Sequence, residues 1–187
     1  MTLFLFVLAG ILIAAVRGRK DRTFTPSQIV NAHALWLPVA GFLLHGLFDW
    51  APSFALRTAG PLTLSYELCI LLFFFFNRKE RFPAILMTAG TLSNFAVIAA
   101  NHFRMPVSPA ALAMYPGLTP EAVAAKKVNY FIASNGSRLY LLADVIPLPL
   151  GKLSGFISVG DLLLGVGLML FTARMMIRLP KPEELTM

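Results

Sequence analysis

Ser158 to Pro180 reads SVGDLLLGVGLMLFTARMMIRLP, and the fold turns on which solvent this stretch is built for. From Val159 to Ile177 it holds a single acid, Asp161, and a single base, Arg174. A helix of that length comes close to the roughly 30 Å hydrocarbon core of a bilayer. Its start is also written locally. Ser158-Val159-Gly160-Asp161 has the capping-box pattern, in which the hydroxyl caps the helix and the acid reaches back to the cap N–H. A negative charge in the first turn suits the helix dipole, and Pro180 stops the helix.

The rest of the chain has the same character. It has 187 residues, 57% hydrophobic and 13% charged, with mean hydropathy +0.72. Soluble domains carry about a quarter charged residues, so the composition points to lipid. The net charge of +7 sits in short loops, without the aromatic interleaving of a nucleic-acid groove, and nucleic acid is set aside as a partner. The lone Cys69 excludes an intrachain disulfide and any Cys-pair metal motif.

Five apolar segments emerge, at about 1–16, 29–49, 62–76, 83–102 and 159–177, with Pro38 expected to kink the second. The first segment is no secretory signal, because its charges (Arg17, Arg19, Lys20, Arg22) follow the apolar run instead of preceding it. Arg78, Lys79 and Arg81 follow the third span; Arg174, Arg178 and Lys181 close the fifth. Short basic loops stay in the cytoplasm. The reading is an all-α, single-domain bundle of five transmembrane helices, N-terminus out and C-terminus in, multi-pass in the cell (cytoplasmic) membrane. No internal repeat supports an inverted-repeat transporter.

Residues 103–157 are then one long outer segment. In LTPEAVAAKKVNYFIASNG, Thr119 is a helix cap, Pro120 the first helical residue and Asn135-Gly136 the stop. Val128, Phe131 and Ile132 form the apolar side of that helix. SRLYLLADVIPLPLG predicts a second short helix, capped by Ser137 and halted by Pro147. Both are expected to be interfacial or re-entrant, forming a lid.

With this orientation, polar groups gather in the outer half. Gly41, His45 and Asp49 share a face; Glu67 lies about one and a half turns below the outer surface. Thr91, Asn94 and Asn101 form a stripe, with His102 and Arg104 at its exit, and the outer segment adds Arg138 and Asp144. Asn31 and His33 lie near the inner side. An ionisable group in hydrocarbon is usually turned inward and partnered. Arg104, Arg138 or His102 are the expected partners of Glu67, and Asp161 is expected to keep a free oxygen for either arginine. His45, Asp49 and His102 lack specific ligand spacing, so no metal and no cofactor are assigned. Neither a Ser-His-Asp set nor a phosphate loop can be assembled. Gly155, Gly160, Gly165 and Gly167 are spaced for close helix packing.

NHFRMPVSPAAL (101–112), SRLYLLADVIPLP and FISVGDLLLGVG together resemble a family of bacterial polytopic membrane proteins of unknown function. The matching positions are Arg104, Met105, Pro106, Asp144, Ser158, Gly160 and Asp161. The resemblance implies a bacterial cell-membrane protein and carries no activity. The functional expectation is a non-catalytic binding or accessory subunit. Its outward-facing pocket is built from Glu67, Asn94, Asn101, His102, Arg104, Arg138, Asp144 and Asp161. It would take a lipid headgroup, a small anionic ligand or a partner protein, and other membrane subunits are possible partners. The alternative is a small membrane enzyme or proton-coupled transporter that uses the same carboxylates and histidine.

Overall fold

The computed structural model describes residues 2–20, 32–126, 128–149 and 155–177. Ile29, Asn31, Arg22, Arg178, Pro180 and Lys181 lie outside the described residues. The chain is mostly helical. Each apolar segment contains a helix: α1 (Thr2–Lys20), α2 (Trp36–Trp50), α4 (Ala59–Phe76), α5 (Arg81–Ala100) and α8 (Val159–Met175), with a short α3 (Pro52–Arg57) after α2. Among the described residues, α4 and α5 are long and apolar enough to cross a membrane.

Glycine contacts show how the helices run. A β-carbon on Gly160 would strike Asn94 and Gly90, and one on Gly167 would strike Met87 and Pro83. Moving along α8 therefore means moving back along α5, so the pair is antiparallel. Gly165 lies on Phe6 while Gly10 lies on Met169 and Thr172, which makes α1 and α8 parallel. Gly41 of α2 meets Tyr66, Cys69 and Ile70 of α4. The helix-packing role expected of Gly160, Gly165 and Gly167 is thus seen, whereas Gly155 faces open space.

Two ends result. At one, the Asn77 side chain accepts the His33 N–H at 3.0 Å and donates to the carbonyls of His33 (2.9 Å) and Phe73 (2.8 Å). This stops α4 and ties it to the chain entering α2. Arg174 meets Glu80 at 3.3 Å at the same end, where Arg78, Lys79 and Arg81 also fall. At the other end, Phe103 packs its ring against Gly60 in the first turn of α4. Between the ends, one core gathers Leu37, Phe73, Phe74, Met87, Leu164 and Phe171; another gathers Phe48, Ala55, Leu62 and Tyr66. Large apolar side chains also cover the outside, including Phe4, Leu12, Phe42, Leu64, Leu68, Phe75 and Ile85.

The structure corrects two expectations. Helix α2 begins at Trp36, preceded by a turn with Ala34 at φ 56°. Pro38 therefore sits in the first turn, where its missing N–H has no helical partner to lose, and it makes no mid-helix kink. The segment between α5 and α8 is not all-helical either. It contains β1 (Met105–Val107), α6 (Pro109–Leu112), α7 (Pro120–Lys126), β2 (Tyr130–Ile132), a 3-10 turn (Tyr140–Leu142), β3 (Ile146–Leu148) and β4 (Gly155–Ile157). Strands β1 and β2 pair in parallel with Pro106 opposite Phe131; β3 and β4 pair antiparallel with Pro147 opposite Phe156. Thr119 does cap α7, accepting the Ala122 N–H at 3.2 Å. Beyond it, Tyr130-Phe131-Ile132 prefers a strand. Pro147 is tolerated on an edge strand, and Pro106 because the side of β1 away from β2 carries only the short bridge to Asp144.

Candidate functional site

The N-terminus of α8 is locked to the middle of α5 by a closed ring of hydrogen bonds. Ser158 Oγ accepts the Asp161 N–H at 2.9 Å, and Asp161 Oδ2 accepts the Ser158 N–H at 3.0 Å. This is the capping box that the sequence signals. Asn94 extends it across the seam. Its Oδ1 accepts from Ser158 Oγ at 2.7 Å, and its Nδ2 donates to Asp161 Oδ1 at 2.8 Å. The small residue at Gly160 lets the amide come this close, since any β-carbon there would occupy its oxygen. Both Asp161 oxygens are thereby engaged. The oxygen expected to be left for an arginine goes to Asn94.

Two further acids lie within electrostatic reach of Asp161. Glu67, buried on α4, is one. The other is Asp144, 1% exposed, whose Oδ1 has no hydrogen-bond partner among the described residues. Its backbone is part of the small sheet: its N–H donates to Pro106 O at 3.1 Å, its carbonyl accepts from Ser108 at 3.0 Å, and it bridges Val107. Burial first, then the charge of Asp161, pushes the Asp144 carboxyl well above the usual carboxylate range. The Tyr130 hydroxyl is raised by burial and then by Asp144 and Asp161, and its ring packs beside Val97, Met105 and Ala143.

The remaining residues expected at the site stand apart from this cluster. Arg104 donates to the Tyr130 carbonyl, lies 5.6 Å over the Phe131 ring and leaves its Nε unpartnered among the described residues. It organises the sheet instead of meeting a carboxylate. Arg138 is exposed, and its backbone N–H and carbonyl are held by Asn101. Asn101 accepts the Arg138 N–H at 2.9 Å and donates to its carbonyl and to that of Val97, both at 2.8 Å. His102 is exposed, in a left-handed turn with Phe103 (φ 56° and 59°). Asn94 and Asp161 are therefore hydrogen-bonded to each other, with Glu67 and Asp144 within electrostatic reach of Asp161, while Asn101, His102, Arg104 and Arg138 take part in the turns and the small sheet of the outer segment. Among the described residues, no group of three or more His, Cys, Asp and Glu side chains is placed to hold a metal ion.

Ser158 and Tyr130 are the members that sequence reasoning did not assign to the site. Ser158 was legible only as a cap, because a partner 64 residues away leaves no local trace. Tyr130 was read as part of a helix. Chemically, Asp161 is held by the Asn94 amide and the Ser158 N–H, and two further carboxyl groups lie within its electrostatic reach, with the neutral form of Asp144 favoured.

Residues 29–173 match the profile of a family described as a family of unknown function, DUF5317. The chain belongs to DUF5317. The matched residues begin after α1 and include all of the cluster just described. No curated protein and no solved structure matches the chain.

Proposed function

We propose that this DUF5317 protein is a multi-pass protein of the cytoplasmic membrane. Its α1, α2, α4, α5 and α8 are the five spans, N-terminus out and C-terminus in. It acts as a non-catalytic binding or accessory subunit through the polar cluster at its outer end. One observation carries the reading: Glu67, Asn94, Asp144 and Asp161 cluster toward one end, while Arg78, Lys79, Arg81 and Arg174 share the other. This is the segregation that the preference for basic cytoplasmic loops produces. Two further features support it. The flanks expose leucine and phenylalanine, and Trp36 and Trp50, 66% and 65% exposed, mark the two ends of α2 as interfacial tryptophans do.

The chemistry of the ligand follows from the arginines. With Arg104 turned to Tyr130 and Arg138 at the surface, the cluster favours a group that brings hydrogen-bond donors or positive charge, such as an ammonium headgroup. An anion would have to be held at the rim by Arg138. Native mass spectrometry of the protein in mild detergent tests this. Retained phosphatidylethanolamine that is lost in Asp144→Asn and Asn94→Ala is expected. Retention unchanged in both variants, with both folded, overturns the site.

A proton-exchanging role is the second reading, favoured by the buried Asp144, whose Oδ1 has no hydrogen-bond partner among the described residues. Among the described residues the seam below the cluster offers Thr91 and Thr172 and no ionisable relay, which weighs against passage through the bilayer.

A further inference from the structure

The outer segment does not simply sit over the helix ends; part of it runs down the flank of α5. Asn101, the first residue past α5, grips both backbone groups of Arg138 and so fixes residue 138 at the helix end. Ala143 and Leu142 then pack around Val97 and Ile98, and Val97 is fully buried there. Val97 lies four residues back from Asn101, about one helical turn or ~6 Å toward the middle of α5. The turn from 138 to 143 is therefore beside the last turn of α5, not beyond it.

Within that turn the outward residues are apolar. The Tyr140 hydroxyl, 2.7 Å from Ser108 Oγ, ties its ring back to the end of β1. Leu139 and Leu141 are left facing out, and Leu141, 80% exposed, is the most exposed large apolar side chain described. Leu139 is held in the left-handed region at φ 53°, a conformation a leucine adopts only when its surroundings impose it. Arg138 flanks the pair with an exposed guanidinium. Apolar side chains at the depth of the last turn, next to a cation at the helix end, are the arrangement of an interfacial anchor.

Resting on the membrane-spanning reading above, we propose that the Arg138–Leu142 turn inserts into the outer leaflet, Leu139 and Leu141 among the upper acyl chains and Arg138 on lipid phosphates. The occupant of this surface is lipid, because the turn shares the depth of the α5 flank and adds positive charge where phosphates lie.

The test uses the full chain with Cys69→Ala, in vesicles of phosphatidylethanolamine and phosphatidylglycerol. Single nitroxide labels are attached after Leu141→Cys, Leu68→Cys (mid-helix on α4) or Glu121→Cys (on α7), and collisions with oxygen and with a water-soluble nickel chelate are measured. Leu141→Cys is expected to show an oxygen-to-nickel ratio below that of the deeper Leu68→Cys and several-fold above that of Glu121→Cys. A ratio like that of Glu121→Cys, with Leu68→Cys still lipid-like, overturns the proposal and leaves the spans intact. Protection from both reagents overturns it in favour of a protein partner. A water-like Leu68→Cys would instead overturn the spans themselves. Leu139→Cys repeats the measurement should Leu141→Cys fail to fold.

Discussion

Where α5 meets α8, glycines and an amide make the contact; where α2 meets α4, leucines and aromatic rings do most of it. On the first seam, Gly90 and Gly160 bring backbones together and Asn94 bonds the cap of α8. On the second, Phe48, Leu62 and Tyr66 pack with Leu44, Leu47 and Ile70, the His45 ring meets that of Tyr66 edge-on, and Asn77 adds a polar tie at the far end. In the bilayer setting proposed above, apolar packing gains little over contact with acyl chains, so close approach and hydrogen bonds would supply specificity. The α5–α8 seam is thus the one whose chemistry sets geometry, and the polar cluster is built on it.

The comparison breaks first at glycine. Gly160→Ala is expected to destabilise the protein by about 1–3 kcal/mol or more, because the new carbon would meet the Asn94 amide and the Gly90 backbone. Gly41→Ala, where the nearest atom is 3.2 Å away, is expected to cost less. Thermal unfolding in mild detergent, followed by circular dichroism, ranks the two. An equal loss at both positions would erase the distinction between the seams.

The amide comes next. Asn94→Leu strips a donor from Asp161 and an acceptor from Ser158, leaving both half-satisfied at a cost of about 1–3 kcal/mol. The same unfolding experiment reads it, and no change in midpoint would mean that the ring is incidental.

A smaller effect, distinguished by its pH dependence, is expected at Asp144. Its folded value is raised, so the stability it contributes is complete below its unfolded pKa of about 3.9 and is lost as pH rises through the folded value. The unfolding midpoint should therefore fall with rising pH in the parent protein and fall less in Asp144→Asn. A midpoint that rises over the same window contradicts a buried neutral acid.

The least effect belongs to the opposite end. The Arg174–Glu80 pair is 51% and 33% exposed, and Arg174→Ala should change stability by no more than about 0.5 kcal/mol. Cysteine-accessibility mapping of the same end in intact cells bears on the topology. Labelling of an Arg78→Cys variant by an impermeant reagent from outside would invert the proposed orientation.

The long elements were legible because their cues are local. Apolar runs near α1, α4, α5 and α8 announced helices, and Ser158 with Asp161 announced a cap that the structure contains. Cues of this kind misled at Pro38, since a proline inside an apolar run reads as a kink when the helix start is not itself marked. Between residues 103 and 157 they held at the Thr119 cap and the start of α7 and failed at the strands. Strands of three residues carry no readable period, and a parallel pairing such as Met105 with Tyr130 depends on residues 25 positions apart. The arginines were misassigned for the same reason: opposite charge suggested a carboxylate partner, whereas Arg104 found a carbonyl and a ring.

Local sequence was enough for the long apolar helices, the basic clusters and the start of α8, because each depends on neighbours within a turn or on composition. Tertiary packing settled that Asn94 joins the α8 cap, that Asp144 is buried within electrostatic reach of Asp161 with its Oδ1 unpartnered among the described residues, and that the Arg138 turn lies along α5. Those outcomes depend on which backbones can approach one another, and that is set by pairs such as Gly90 and Gly160 that are distant along the chain.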